Sequence, residues 1–289
     1  MDIPLDSDMQ IINCLGGKYF GDMLARTLKL KTLNTFVHQF PNGEMTVELS
    51  LAETNQREAT YIVQSFVSDA NDRVMELLLT INAAQKSGIN EIHLIIPYLC
   101  YSRLDRPKNL TSLGIEVIAN LLNNTGAGSI TVIDIHSPNS LGLFRMPTKN
   151  ITALDIVECG NKTIVAPDQG SFIRLSNRMH NEIVRFDKKR EGGDLYMKLL
   201  GNVDGKDCVI LDDIVDSGRT MTMAAEILMA SGARSVDAYA THAFLSSETK
   251  KTITGSCIGK LTISNSVENK GALPRNVEVV DVVSCILGI

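Results

Sequence analysis

Val209-Ile-Leu-Asp-Asp-Ile-Val-Asp-Ser-Gly-Arg-Thr-Met-Thr-Met-Ala-Ala225 is the stretch on which the fold turns. An apolar run leads into two adjacent acids, Asp212 and Asp213. A third acid, Asp216, opens the short loop Ser217-Gly-Arg-Thr220, and a helical pattern follows at once. A buried strand that passes through polar residues directly into a helix predicts the carboxyl edge of an α/β sheet, where such folds build their sites. Carboxylates there can accept hydrogen bonds from the vicinal hydroxyls of a ribose. Gly218 lets the backbone approach a ligand closely. Ser217 and Thr220 add hydroxyls, and the helix start offers N–H groups to a phosphate. The plainer reading, an acidic turn with Thr220 as helix cap, leaves the two acids after a buried strand without a purpose.

Outward from this stretch, short apolar runs alternate with helical patterns. Strands are predicted at 61–65, 91–97, 129–135, 163–166, 207–211 and 235–240. Helices are predicted at 71–86, where Val74, Leu77, Leu78, Ile81 and Ala84 share a face, and at 115–123. Near-continuous apolar strands between amphipathic helices indicate βαβ units and parallel sheets buried on both faces. The run from Ala119 to His136 resembles that from Ala225 to His242, each reading as helix, glycine, strand and histidine at an offset of 106 residues. That repeat suggests two copies of one α/β module, with a boundary near Met146-Pro147, giving domains 1–147 and 148–289.

At 289 residues, with 44% hydrophobic and 21% charged residues, the chain has ordinary globular composition, which excludes disordered, collagen-like and coiled-coil classes. The net charge of -5 gives no global attraction to nucleic acid or anionic membranes, so any phosphate must be bound locally. Neither nucleic acid nor membrane is expected as a partner. Aromatic residues are 5% and tryptophan is absent, which argues against a base-stacking platform. Six scattered cysteines without a CxxC pair read as reduced core thiols. The acidic start lacks the pattern of a signal peptide and no run suits a membrane helix, so a cytoplasmic location is expected. Residues 201–206 resemble a Walker A loop only superficially, and Met221, Met223 and Met229 read as core.

Seven ordered stretches between Phe40 and Leu245 give the chain a family resemblance. They are Phe40-Pro-Asn-Gly-Glu44, Ser68 to Glu76, Pro97 to Arg106, Asp134-Ile-His136, Ala166-Pro-Asp-Gln-Gly170, Asp187-Lys-Lys-Arg190 and the loop after Asp212. The last resembles the ribose-phosphate motif of the phosphoribosyltransferase fold, and the set is similar to the ribose-phosphate diphosphokinase (PRPP synthetase) family. The resemblance implies two tandem phosphoribosyltransferase-type, Rossmann-like domains. It implies transfer of the β,γ-diphosphoryl group of ATP to the anomeric hydroxyl of ribose 5-phosphate, with magnesium (Mg2+) as cofactor and AMP as the second product. It also implies a homo-oligomer built from dimers, up to a hexamer.

Carried over position by position, Phe40, Asn42 and Glu44 match the adenine-binding loop, with Asn42 in place of the family's Asp. Arg103, Asp105 and Arg106 match the triphosphate-binding segment, with Leu104 replacing Gln. His136 and Asp168 match the two protein ligands of the metal, whereas His242 is expected to be structural. Lys188 and Arg190 match the catalytic pair of a mobile loop whose cations stabilise charge built up during transfer. Asp212, Asp213, Asp216, Ser217, Gly218, Arg219 and Thr220 match the ribose-phosphate site.

Several departures bear on substrate and control. Arg219 stands where the family has small residues, and an arginine there also suits a larger 5′ substituent such as that of ADP-ribose. Gln169-Gly-Ser171 replaces a Gly-Gly pair, Arg145 occupies a regulatory position and the chain stops at Ile289, so phosphate/ADP regulation is not expected. The alternatives are the same chemistry on ADP-ribose, a PRPP-consuming phosphoribosyltransferase, and a non-catalytic regulatory paralogue.

Overall fold

The computed structural model describes residues 9–50, 59–103, 111–191 and 194–287, without the side chains of Arg190, Glu191 and Leu287. Two compact units emerge. One holds residues 1–152, 266–268 and 283–289, and the other 153–265 and 269–282. The division expected at residue 147 falls just before a strand that completes the first sheet.

In the first unit the order is β1 (Met9–Asn13), α1 (Lys18–Leu28), β2 (Lys31–Gln39), β3 (Met45–Leu49), β4 (Ala59–Val63), α2 (Ala70–Lys86), β5 (Ile92–Ile96), α3 (Gly114–Asn123), β6 (Ser129–Ile133) and β7 (Thr148–Ile151). They form one seven-stranded sheet, β3-β2-β1-β4-β5-β6-β7. The second unit runs β8 (Thr163–Ala166), α4 (Gln169–Ser176), β9 (Ile183–Glu191), β10 (Asp194–Leu200), β11 (Asp207–Val215), α5 (Arg219–Ala230), β12 (Ser235–Ala243), α6 (Ser247–Thr254), β13 (Leu261–Ser264) and β14 (Val277–Val280). Its sheet, β10-β9-β8-β11-β12-β13-β14, repeats the first in order and direction. A short helix, α7 (Val283–Leu287), returns to the first unit.

All strand pairs are parallel except one in each sheet, β2–β3 and β9–β10, which are antiparallel edge hairpins. Periodicity explains the difference. Central strands such as β1 are buried throughout, as strands covered on both faces must be. β2 alternates buried Leu33 and Thr35 with exposed Asn34 and Phe36, as a strand with one wet face does. The edge hairpins carry too little apolar signal to be found as parallel strands.

The duplication expected from sequence is present, but its register is different. Topology pairs β6 with β13 and β5 with β12, so the run ending at His136 is not the structural mate of the run ending at His242. Equivalent strands lie about 150 residues apart, as β4 from Ala59 and β11 from Asp207 show. The misleading similarity comes from a common helix stop. Gly88, Gly126 and Gly232 all take positive φ directly after a helix, where glycine relieves left-handed strain, so any such unit resembles another. His242 lies buried within β12, consistent with a structural role, and Met221 is buried while Met229 is exposed.

Candidate active site

In each sheet the strand order reverses at one pair, β1/β4 in the first unit and β8/β11 in the second. A crevice opens outside the carboxyl ends of such a pair. In the second unit it is flanked by the candidate residues themselves. Asp168 follows β8, and Asp212 and Asp213 lie within the last residues of β11.

Asp168 is the N-cap of α4, and its Oδ1 accepts the Ser171 amide at 2.9 Å. Its other oxygen, Oδ2, lies 3.9 Å from the Lys188 ammonium. Ser171, buried in the first turn of α4, donates its hydroxyl to Asp212 Oδ1 at 3.4 Å. Asp212 Oδ1 also accepts the Asp213 amide at 3.0 Å. Arg174, one turn further along α4, donates from Nη2 to Asp213 Oδ1 at 2.6 Å and to Ser171 Oγ at 3.1 Å. Burial pushes the Asp212 carboxyl well above its ordinary value, and the charges of Asp213 and Asp168 push it further against the pull of Arg174. Burial works against the Arg174 charge, but Asp213 and Asp212 outweigh it and hold the guanidinium protonated.

Three carboxyl groups gathered in this cluster suit a hard divalent cation bound through oxygen. Among the described residues no three His, Cys, Asp or Glu side chains are grouped to hold a metal unaided. Magnesium takes one or two carboxylates and completes its shell with phosphates and water, so the donor set fits it. His136 lies half-buried in the first unit, after the carboxyl end of β6.

The loop after β11 leaves the start of α5 without a side-chain cap. Gly218 caps α5 with φ of 77°, a left-handed conformation natural to glycine, and no side chain caps the helix. Thr220 lies inside the helix, so the capping role open to it in the sequence falls to Gly218 instead. Asp216, Ser217 and Arg219 are exposed around the helix start, and Thr249 on α6 pins the Asp216 carbonyl at 2.8 Å. Backbone N–H groups at such a terminus attract anions.

Lys188 sits within β9, opposite Met197, rather than at the root of a loop. Val184, Phe186 and Lys188 share one face of this strand, and Phe186 is fully buried. From the other face, Arg185 bonds to the Gln169 side chain and lies 5.0 Å above the Phe172 ring. Arg190 also lies on β9, its side chain outside the described residues.

In the first unit Phe40, Asn42 and Glu44 form the turn of the β2–β3 hairpin. Phe40 and Glu44 pair through the Phe40 amide at 2.7 Å, and Asn42 Oδ1 accepts the Glu44 amide at 3.2 Å. Phe40 is exposed and meets His38 edge-on at 4.9 Å, an aromatic neighbour not singled out from sequence. Arg103 is exposed in the loop after β5, while Leu104, Asp105 and Arg106 lie outside the described residues. Three of the non-glycine residues with positive φ, Asp69, Tyr101 and Asp134, follow β4, β5 and β6 in turn. Such conformations cost energy and gather where a site needs fixed geometry.

The crevice at β1/β4 is filled instead. Buried Glu76 accepts the Leu15 amide at 2.5 Å, the Gln64 side chain at 3.0 Å and Arg73 Nη1 at 2.6 Å. A Cβ on Gly17 would stand 2.0 Å from the Val63 carbonyl oxygen, so this loop is packed directly against β4.

The chain is similar to known proteins along most of its length. Residues 9–126 match the N-terminal domain of ribose phosphate pyrophosphokinase, and residues 173–288 the phosphoribosyl synthetase-associated domain. The ribose-phosphate pyrophosphokinase of Agrobacterium fabrum is 34% identical over 274 residues, covering 90% of this chain and 88% of that protein. That of Rhizobium meliloti is 33% identical over 288 residues, covering 94% and 92%. The phosphoribosylpyrophosphate synthetase structure from Mycobacterium smegmatis has a TM-score of 0.86 over 97% of each chain at 22% identity, a likeness of fold. Among the described residues no helix is long and apolar enough to cross a membrane.

Proposed function

The chain belongs to the ribose-phosphate pyrophosphokinase family, and on that premise we propose that it moves the β,γ-diphosphoryl group of ATP onto ribose 5-phosphate. The anomeric hydroxyl attacks the β-phosphorus, the bridge to the α-phosphate breaks with its electrons on AMP, and the hydroxyl proton leaves. The single observation that carries this reading is the joining of Asp168, Asp212 and Asp213 at the β8/β11 reversal, beside the uncapped start of α5.

In this reading Asp212 and Asp213 accept hydrogen bonds from the ribose hydroxyls, and Asp216 supports them at the mouth of the loop. Ser217, Gly218, Arg219 and Thr220 hold the 5′-phosphate through hydroxyl, amide and guanidinium donors. Lys188 and Arg190 set positive charge beside the transferred group, where it stabilises charge developing in the transition state. Phe40, Asn42 and Glu44 take the adenine, and Arg103, Asp105 and Arg106 the triphosphate. Asp168 and His136 would hold Mg2+, which would neutralise phosphate charge. A homo-oligomer built from dimers, in which the Phe40 hairpin serves a neighbouring copy, belongs to the same reading.

The test is AMP release by the purified chain from ATP and magnesium with each of two acceptors. AMP with ribose 5-phosphate is expected. AMP with ADP-ribose alone would move the acceptor, and AMP with neither would sink the reading.

A further inference from the structure

We propose that Arg174 is a positioning residue for the sugar-phosphate acceptor, acting through Asp213 and Ser171. The proposal rests on the assignment of Asp213 to the ribose hydroxyls. Arg174 stands on α4, where it holds Ser171 one turn earlier, and its carboxylate partners stand on β11. One nitrogen, Nη2, donates to Asp213 Oδ1 at 2.6 Å and to Ser171 Oγ at 3.1 Å, and lies 3.9 Å from Asp212 Oδ1. Ser171 in turn joins the two strands of the crevice, with its amide on Asp168 and its hydroxyl on Asp212. A single guanidinium therefore fixes the carboxylates on β11 relative to the loop after β8.

The geometry requires an arginine. An Nη2 group carries two hydrogens in a fixed plane, so it can serve the Asp213 carboxylate and the Ser171 hydroxyl together. A lysine ammonium is a point charge on a flexible stem and does not impose that orientation. The Asp213 side chain is 7% exposed and that of Arg174 21%, so solvent does little to replace the contact. Without Arg174, Asp213 would lose this charged partner. Acceptor binding would suffer directly, whereas the adenine side of ATP recognition would not.

The experiment compares steady-state kinetics of the wild type, Arg174→Lys, Arg174→Ala, Asp213→Asn and Arg174→Ala/Asp213→Asn, with thermal unfolding of each. The expected result is a folded Arg174→Lys enzyme whose KM for ribose 5-phosphate rises about tenfold or more while its KM for ATP changes less than about twofold. Free guanidinium at millimolar concentration should restore part of the Arg174→Ala activity and none in the wild type. In the Asp213→Asn background, loss of Arg174 should add little, because both changes break one unit. Equal rises in both KM values, an unchanged acceptor KM, additive effects, or an Arg174→Lys protein that does not fold would each overturn the proposal. A wild type that releases no AMP with ribose 5-phosphate is a different failure. It would remove the acceptor assignment and the proposal with it.

Discussion

Asp168 caps α4 through the Ser171 amide with one carboxylate oxygen and faces Lys188 with the other. One side chain thus serves folding and the site at once, and substitution can separate the roles. Asp168→Asn keeps an acceptor for the Ser171 amide, since asparagine caps helices as well as aspartate. Asp168→Ala loses it, at a cost of about 1 kcal/mol. Denaturant titration should therefore separate the two variants by that amount. Magnesium-dependent activity should fall about a hundredfold or more in both.

Asp212 gives a stability prediction of opposite sign to the usual acid. Its folded-state carboxyl is raised well above 3.8 by burial and then by Asp213. Ionising Asp212 therefore costs more in the folded protein than in the unfolded chain, and the stability due to its proton is present at low pH and lost as the pH rises through the raised titration. Asp212→Asn keeps an acceptor for the Asp213 amide and removes the repulsion. The unliganded variant should be more stable than wild type at pH 8. That advantage should shrink as the pH falls through the raised titration of Asp212 and vanish below 3.8. A variant less stable at pH 8 would contradict the charge account.

Glu76 fills the β1/β4 reversal of the first unit with internal hydrogen bonds. Glu76→Ala removes the acceptor of the Leu15 amide and strands the Arg73 guanidinium, whose side chain is 21% exposed. Breaking a buried pair from one side costs about 3–5 kcal/mol. Glu76→Gln, which keeps an acceptor, should cost less. The shift in denaturant midpoint measures both.

In the proposed reading Lys188 acts on the transition state rather than on ATP binding. Lys188→Ala should lower kcat by about a hundredfold or more with little change in the KM for ATP, as removal of a group that stabilises developing charge does. A rise in KM at unchanged kcat would assign it to substrate binding instead.

Much of this was legible in the sequence, and the reasons are physical. Strands buried along most of their length, such as β5 and β11, announce themselves by apolar runs, and Asp212 and Asp213 stand out because acids seldom interrupt one. The edge hairpins did not stand out. β9 reads as a basic run because its buried residues, Val184 and Phe186, are separated by Arg185 and followed by Asp187, Lys188 and Lys189. The repeat was misregistered because helix-stop glycines recur in every βα unit. Arg174 was missed for another reason. Only the packing of α4 against β11 brings it to Asp213, 39 residues away, and no local pattern encodes that contact. Its one sequence signal is an arginine on the helix that Asp168 begins.

A diphosphoryl transfer carries the β-phosphorus of ATP to the acceptor, so the fate of that atom is the sharpest test. With ATP labelled at that position, magnesium and ribose 5-phosphate, the label should move to the sugar product while unlabelled AMP appears in equal amount. Label retained in ADP would contradict it.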